Sequence, residues 1–310
     1  MDIVKERILF LLVLFFSSGF GASVWAQRAD HLDFGPRLSP DFSKVVYYSY
    51  RNDSLPDLYL MDLKFCKEIQ LTYDYKAWDL NPKWSVDGKH IYFSSDRNGD
   101  MAIYRMELKT SKIKQVTYPR KGYRHSEISF TADGKKMAYC EFQPNNRTAI
   151  YLRTLENYKD TLLLRSSDIN DEFFKPVIHP DGNELVFLKN VAEESKPLFD
   201  IFLLDILKGS IKNITRTPEI NERMPSWSND GDYLIYSADQ NQMSFDLFKR
   251  EWHSKSVVQI SFNDDRQELN SHLSAKILLY DSGFYGMEKE GNTYIYLADA
   301  EGKNVRQLTN

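Results

Sequence analysis

Apolar and polar residues alternate along short segments of this chain, and polar turns separate the segments. The stretch NPKWSVDGKHIYFSSDRNG, residues 81–99, shows the pattern: a Pro-x-Trp run, an Asp-Gly pair, the alternating run HIYFSS and a second polar turn. Such alternation predicts half-buried antiparallel strands, and Asp-Gly between two runs predicts a tight hairpin. No segment keeps a helical period, so we expect almost no helix beyond the N-terminal segment.

The same stretch recurs along the chain. With Asp87 of the Asp-Gly turn as a marker, the equivalent positions are Asp41, Asp87, Asp133, Asp181, Asp230 and, in a degenerate copy, Ser274. An aromatic residue follows each marker by six positions: Tyr47, Phe93, Tyr139, Phe187, Tyr236 and Tyr280. Offsets that are kept through six copies identify a repeat protein.

Each repeat contains four strand-like runs, of which the third resembles IYRMEL and the fourth ends in QLT or a close variant. Six units of four antiparallel strands predict an all-β fold, a six-bladed β-propeller whose blades surround a central channel. Trp84, Trp227 and the aromatic residues after the markers are then expected to fill the wedges between blades. The Asp residues of the Asp-Gly pairs are expected to cap their own turns and not to bind calcium.

The unit resembles the repeat of the TolB-type β-propeller family, a WD-like family. The matching residues are Pro82, Trp84, Ser85, Asp87 and Gly88 in the second copy, and Pro225, Trp227, Ser228, Asp230 and Gly231 in the fifth. The resemblance covers about residues 30 to 310 and implies a periplasmic or cell-surface scaffold that binds other proteins around its channel mouth. Prolyl-oligopeptidase-like peptidases carry the same repeat before a catalytic domain, but the Gly-x-Ser-x-Gly motif of that domain does not occur in this sequence.

The N-terminus has the pattern of an export signal. Two basic residues precede an apolar run over residues 8–16, and Val24 and Ala26 fit the positions read by a signal peptidase. The run is short for a transmembrane helix, although an uncleaved anchor is the alternative. We expect residues 1–26 to be a signal peptide. Residues 27–310 are then expected to form one exported, monomeric propeller domain in the periplasm or cell envelope, without stable membrane insertion.

Composition narrows the classes of partner and cofactor. The charged residues are mixed in sign and the net charge is only -4, so we expect no nucleic-acid partner. No glycine-rich loop lies between a strand and a helix, so we expect no nucleotide cofactor. Cys66 and Cys140 fall two repeats apart, and we expect buried or semi-buried free thiols, although exported proteins can form disulfides.

The repeat also indicates candidate partner-binding residues, because ligands of propellers usually meet the loops that enter the innermost strands. The positions eight residues before the markers are Asp33, Asp79, His125, Phe173, Glu222 and Arg266. Five of the six are ionisable, and we expect them to form a mixed-charge collar that binds an envelope protein or glycan. The alternative is that loop residues are polar whatever their role.

Three histidines suggest an enzymatic alternative. His179 and His272 both lie two residues before a marker, and His125 lies near the channel end. Certain oligogalacturonate-type lyases are propellers of similar repeats that hold a metal with several channel histidines. A zinc or manganese site needs three or four convergent ligands, and the sequence offers no paired spacing such as HExxH. We therefore favour a non-catalytic protein without a metal over a metal-dependent polysaccharide lyase.

Overall fold

The computed structural model describes residues 32–51, 55–168, 171–192, 198–240, 244–263, 266–274, 276–283 and 291–309. These residues form strands and turns and contain no helix, as predicted. Nowhere in the described ranges is there a helix with the length and hydropathy needed to cross a bilayer. The predicted signal peptide, residues 1–26, lies outside the described residues.

The strands form six four-stranded antiparallel sheets, here called blades 1 to 6. Blade 1 contains β1 (Asp33–Leu38), β2 (Lys44–Ser49), β3 (Asp57–Asp62) and β4 (Lys67–Gln70). Blade 2 contains β5 (Asp79–Trp84), β6 (His90–Ser95), β7 (Ala102–Glu107) and β8 (Lys112–Gln115). Blade 3 contains β9 (Arg124–Phe130), β10 (Lys136–Phe142), β11 (Thr148–Thr154) and β12 (Lys159–Arg165).

The second half of the chain repeats this arrangement. Blade 4 contains β13 (Phe173–Ile178), β14 (Glu184–Asn190), β15 (Phe199–Asp205) and β16 (Ile211–Asn213). Blade 5 contains β17 (Glu222–Trp227), β18 (Tyr233–Ala238), β19 (Asp246–Glu251) and β20 (Val257–Gln259). Blade 6 contains β21 (Gln267–Ser274), β22 (Ile277–Gly283), β23 (Thr293–Asp299) and β24 (Arg306–Gln307).

Each blade consists of four strands that are consecutive in sequence, paired in order from the first to the fourth. The six-bladed propeller predicted from the repeat is therefore confirmed. Packing of β1 against β21, β22 and β23 closes the ring between blades 1 and 6. Before β1, Leu32 forms a single parallel bridge with Thr293 of blade 6. No strand is exchanged between blades within the described ranges.

Every first strand carries a bulge next to the channel. One residue at each bulge has a positive φ between 49° and 63°, and these residues are Gly35, Asn81, Glu127, Lys175, Met224 and Asn270. The register shift against the second strand occurs at the same place in all six blades. A bulge bends its strand and re-aims the following side chains, which here include charged groups.

The aromatic residues six positions after the markers are buried in core clusters that join neighbouring blades, as the repeat predicted. In all six blades the aromatic residue of the second strand stacks on one in the third strand, with ring centroids 5.5 to 6.0 Å apart. Trp227 is buried and packs among residues of blades 3, 4 and 5, and the half-buried Trp84 packs against the cluster shared by blades 1 and 2. Both Trp residues therefore lie in wedges between blades.

The Asp-Gly turns form as predicted, and one of the two cysteines differs from the expectation. Oδ1 of Asp87 accepts hydrogen bonds from Ser85 Oγ at 2.6 Å and from the backbone N–H of Lys89 at 3.1 Å, so the Asp caps its own turn as predicted. The two cysteines are unpaired. Cys140 is buried, but Cys66 is exposed in the turn after β3, so the expectation of a buried or semi-buried thiol is wrong for Cys66.

Candidate partner-binding face

The propeller has two ends that differ in their connections. One end, here called the loop face, carries the connections from the fourth strand of one blade to the first strand of the next, among them residues 71–78, 116–123, 214–221 and 260–263. The other end, here called the turn face, carries the short turns between first and second strands and between third and fourth strands. The positions predicted for the collar lie where the first strands begin, at the loop face.

Four predicted collar residues are buried and do not line an exposed rim. Asp33, Asp79 and Glu222 are the first residues of β1, β5 and β17, and His125 is the second residue of β9. None of the four is more than 6% exposed. Their polar groups are satisfied mainly inside the propeller, because a buried charge is tolerated only when it is paired or hydrogen-bonded.

Asp33 and Asp79 have the same partner in their respective blades. Nη2 of Arg51 lies 2.7 and 2.8 Å from the carboxylate oxygens of Asp33. Nη2 of Arg97 lies 2.9 and 2.8 Å from those of Asp79. Each guanidinium also lies 4.8 to 5.5 Å from the ring centroids of the stacked aromatic pair in its blade. These ion pairs tie the second-to-third-strand loop to the start of the inner strand, which is a structural role.

His125 occupies the equivalent position in blade 3. Its Nε2 lies 3.3 Å from Oε2 of Glu141, and its ring packs on Tyr139 with centroids 5.0 Å apart. The Nδ1 atom is buried and has no hydrogen-bond partner in the described part of the chain. The ring is therefore held by the second strand of its own blade and does not face solvent.

In blade 5 the predicted residue belongs to a buried pair of carboxyl groups. Glu222 faces Asp200 of blade 4 and accepts hydrogen bonds from Thr217 and, at 3.2 Å, from Thr215. Burial raises the pKa of Glu222 to about 8. The hydrogen bond from Thr217 lowers this pKa, and the charge of Asp200 raises it. Glu222 therefore retains its proton to a higher pH than an ordinary glutamate, which relieves its repulsion with Asp200.

The prediction that Arg266 occupies this position in blade 6 is wrong. Arg266 precedes β21, and its Nη1 donates a 2.9 Å hydrogen bond to the hydroxyl of Tyr296. The equivalent residue of blade 6 is Glu268, which lies two positions before the bulge residue Asn270. Glu268 is buried and faces Asp246. Burial raises the pKa of Glu268 to about 7, opposed by hydrogen bonds from Ser261 and Asn263 and reinforced by the charge of Asp246.

The error arose from a shortened turn. In blade 1, Leu38 pairs with Val45 across the turn between the first two strands. In blade 6 the equivalent Leu273 pairs with Leu278, so two fewer residues separate the paired positions. Counting eight residues back from Ser274 therefore reaches Arg266, two residues before the equivalent position, Glu268. The two-residue deletion in this turn also removes the Asp-Gly pair. The spacing of the markers alone did not reveal the deletion.

The loop face exposes aromatic side chains at one recurring position. Tyr73, Tyr118 and Phe262 are 72 to 76% exposed and follow the hydroxyl residue after the fourth strand in blades 1, 2 and 5. The hydroxyls of Tyr73 and Tyr118 donate hydrogen bonds to the carbonyls of Gln70 and Gln115, at 2.9 and 3.4 Å. Sequence reasoning missed this set, although the recurring pairs Thr-Tyr, Thr-Tyr and Ser-Phe after the fourth strand were a readable signal.

The three histidines considered as metal ligands do not converge. His125 is at the loop face, whereas His179 is at the turn face, where its Nε2 lies 3.2 Å from the carbonyl oxygen of Gly231. His272 lies in the first strand of blade 6, and its Nδ1 accepts a 3.0 Å hydrogen bond from the N–H of Leu38. Within the described ranges, no three His, Cys, Asp or Glu residues group in a way that could hold a metal ion.

Comparison with known proteins places this architecture among TolB-like propellers. The sequence profile of the TolB beta propeller domain matches residues 22–131 and 127–310. The Tol-Pal system protein TolB from Francisella tularensis subsp. holarctica is 26% identical over 236 residues, which cover 74% of this chain and 50% of that protein. The chain thus spans about half the length of the curated relatives it matches.

Solved structures share the fold at low sequence identity. TolB from Acinetobacter baumannii superposes with a TM-score of 0.66 at 17% identity, covering 99% of this chain and 69% of that one. An oligogalacturonate lyase in complex with manganese superposes with a TM-score of 0.65 at 14% identity, covering 90% and 78%. At these identities the likeness shows the fold alone, because one fold hosts many functions.

Proposed function

This chain belongs to the TolB beta propeller domain family, and on that premise we propose that it is a non-catalytic scaffold that binds an envelope protein through its loop face. The observation that carries the proposal is the set of exposed aromatic side chains at one repeat position. Tyr73 and Tyr118 are held in equivalent positions by hydrogen bonds to Gln70 and Gln115. Aromatic side chains held in place before binding lose little entropy on contact and dominate many protein interfaces.

The buried charges beneath these residues support the loop face as a rigid platform. The ion pairs of Asp33 with Arg51 and of Asp79 with Arg97 fix the loops beside the inner strands in blades 1 and 2. Tyr73 also borders a groove of about 1160 Å³ between these two blades, which Arg97 reaches from the second blade. A partner segment bound at Tyr73 would therefore also contact this groove.

The test begins with capture of the partner from an envelope extract and continues with matched variants. Changing Tyr73, Tyr118 and Phe262 together to Ala should abolish capture while the unfolding temperature stays unchanged, because exposed side chains contribute little to stability. The matched control is a triple change to Ala of exposed apolar residues on the turn face, namely Phe65, Tyr158 and Leu207. The assignment of the loop face would be overturned if only the control variant lost capture, or if both variants still captured the partner.

The proposed location is the periplasm or another part of the cell envelope, with the propeller exported and monomeric. Fractionation of cells that express the full chain, with mass spectrometry of its N-terminus, tests export and cleavage after Ala26. Sedimentation measures the oligomeric state. Recovery of the chain in the cytoplasmic fraction with residues 1–26 intact would contradict the proposal.

The lyase alternative is tested separately. The scattered positions of His125, His179 and His272 favour the non-catalytic role, because a metal site needs ligands that converge. Metal analysis of the purified protein and an activity assay on oligogalacturonate distinguish the scaffold role from the lyase role. Stoichiometric zinc or manganese, with cleavage that is lost on changing one of these histidines, would replace the scaffold role by an enzymatic one.

A further inference from the structure

The groove of about 1160 Å³ between blades 1 and 2, here called the blade 1–2 groove, extends from one face of the propeller to the other. Tyr73 and Arg97 line its loop-face end, and turn residues such as Asp87 line its turn-face end. Between them it has apolar walls from both blades, formed by Leu60, Ile69, Leu71, Met106, Leu108 and Ile113. An open groove with apolar walls and polar ends suits an extended polypeptide segment.

The groove lacks a contact that spans two other junctions between blades. Arg153 of blade 3 and Arg250 of blade 5 each donate from Nη1 to a backbone carbonyl that follows the fourth strand of the preceding blade. Met106 has their register position in blade 2, and its side chain has no donor. The equivalent carbonyl of blade 1, that of Leu71, therefore accepts no hydrogen bond from the described residues.

Arg97 also lacks a partner that its counterpart in blade 1 has. In both blades, Nη2 of the arginine pairs with the aspartate that begins the first strand. In blade 1, Nη1 of Arg51 lies 2.6 Å from Oε2 of Glu68 as well. Ile113 has the register position of Glu68 in blade 2, and Nη1 of Arg97 makes no hydrogen bond or ion pair to the described residues. One guanidinium thus holds two carboxylates in blade 1 and only one in blade 2.

A second donor beside Arg97 has no acceptor. The guanidinium carbon of Arg97 lies 5.4 Å from the ring centroid of Tyr104, whose hydroxyl is buried and makes no hydrogen bond to the described residues. The amide of Asn98 lies beside this hydroxyl but donates to another side chain. In blade 1, by contrast, Glu68 accepts a hydrogen bond from the hydroxyl of Tyr47 in addition to its bond with the arginine. A carboxylate in the equivalent place of blade 2 would satisfy two donors that are costly to leave unpaired.

We propose that the blade 1–2 groove binds an extended segment of the envelope partner that carries an aspartate or glutamate between apolar residues, with its carboxylate at Arg97 and Tyr104. The carboxylate takes the place that Glu68 has in blade 1, and hydrogen bonds between a guanidinium and a carboxylate are strong. The apolar residues of the segment cover the walls of the groove. The inference rests on the proposed scaffold function, because Tyr73 belongs both to the loop-face aromatic set and to the groove.

The first experiment measures binding of labelled peptides to the purified full chain by fluorescence anisotropy. The probes are blocked heptapeptides in which Val, Leu and Ala flank one central residue, either Glu, Asp, Gln or Lys. Glutamate or aspartate peptides should bind saturably and at least about tenfold more tightly than their glutamine twins, because only a carboxylate pairs with Arg97. Equal affinity for glutamate and glutamine peptides, or no saturable binding in the set, would overturn the proposal.

The second experiment copies the carboxylate of blade 1 into blade 2. Ile113→Glu supplies Arg97 with an internal partner, so peptide affinity should fall at least about tenfold while the propeller still folds, as blade 1 does with Glu68. The matched control is Val257→Glu, which makes the same charge change at the same register position of blade 5 and should bind as wild type. Wild-type affinity in Ile113→Glu would contradict the proposal. If this variant does not fold, the comparison of glutamate with glutamine peptides decides.

Capture of the partner from the envelope extract separates this inference from the loop-face function. The groove proposal fails and the loop face stands if the triple aromatic variant loses capture while Ile113→Glu keeps both capture and peptide binding. The loop-face function fails and the groove stands if the triple variant keeps capture while Ile113→Glu loses both capture and binding of glutamate peptides.

Discussion

The indole Nε1 of Trp227 donates a 3.1 Å hydrogen bond to the carbonyl of Val177, in the first strand of the preceding blade. Trp84 makes the same contact with Arg37, at 2.9 Å, between blades 1 and 2. Each indole therefore fills the wedge between two blades and also satisfies a backbone acceptor of the inner strand. At each of these two junctions, one Trp side chain therefore provides both packing between the blades and a hydrogen bond.

Trp227→Ala should destabilise the propeller by about 3–5 kcal/mol, because it leaves a cavity and an unpaired carbonyl. Trp84→Ala should cost less, since Trp84 is only half-buried. Trp227→Phe keeps most of the packing and isolates the hydrogen bond, at about 1–2 kcal/mol. Urea unfolding followed by fluorescence or circular dichroism measures all three. Wild-type stability in Trp227→Ala would show that the side chain is not packed between blades.

Asp79→Ala should destabilise the protein by about 3 kcal/mol, because it leaves Arg97 partly buried without its counterion. Arg97→Ala should cost a similar amount. The double variant should cost clearly less than the sum, since the pair is lost only once. A double-mutant cycle from unfolding curves measures this coupling. Additive effects would contradict the pairing, and they would favour the exposed collar expected from the sequence.

Stability should fall as the pH rises from about 5 to about 8. The pKa of Glu222 is raised to about 8 and that of Glu268 to about 7, both above the value of 4.5 for an ordinary glutamate. The folded state therefore binds more protons than the unfolded state in this window. Its extra stability is complete below pH 4.5 and is lost as the pH passes through these values.

Glu222→Gln should flatten this decline and raise the stability at pH 8 by about 2 kcal/mol, because the amide cannot ionise beside Asp200. Glu156→Gln, at an exposed site, is the control and should leave the profile unchanged. Thermal unfolding at a series of pH values checks both variants. A wild-type pH profile in Glu222→Gln would mean that Glu222 does not retain its proton in the folded state.

Gly231→Ala should destabilise the protein more than Gly88→Ala at the equivalent turn of blade 2. Both glycines have a positive φ, 82° and 67°, so both variants pay about 1 kcal/mol of backbone strain. A Cβ at Gly231 would also lie 2.6 Å from Nε2 of His179, whereas at Gly88 the nearest atom is 3.7 Å away. Equal unfolding midpoints for the two variants would contradict this contact between blades 4 and 5.

The sequence by itself determined the architecture. Strand alternation with a period of two residues, the recurring markers and the aromatic residues six positions later predicted six four-stranded blades, and these offsets reflect contacts within one blade. Residues such as Asp87 and Gly88 act within their own turn, so their role follows from local geometry. Trp84 and Trp227 were assigned to wedges correctly because a large apolar side chain in a blade has few other places to be buried.

Only the tertiary structure decided which polar residues are buried and which remain exposed. Asp79 is covered because Arg97 folds back on it, and the position of Arg266 was misassigned because a turn lost two residues. Lys175 and Glu127 form an ion pair between the inner strands of blades 4 and 3, although they lie far apart in sequence. Exposure and electrostatic surroundings are properties of neighbours in space, and a repeat pattern records neighbours along the chain.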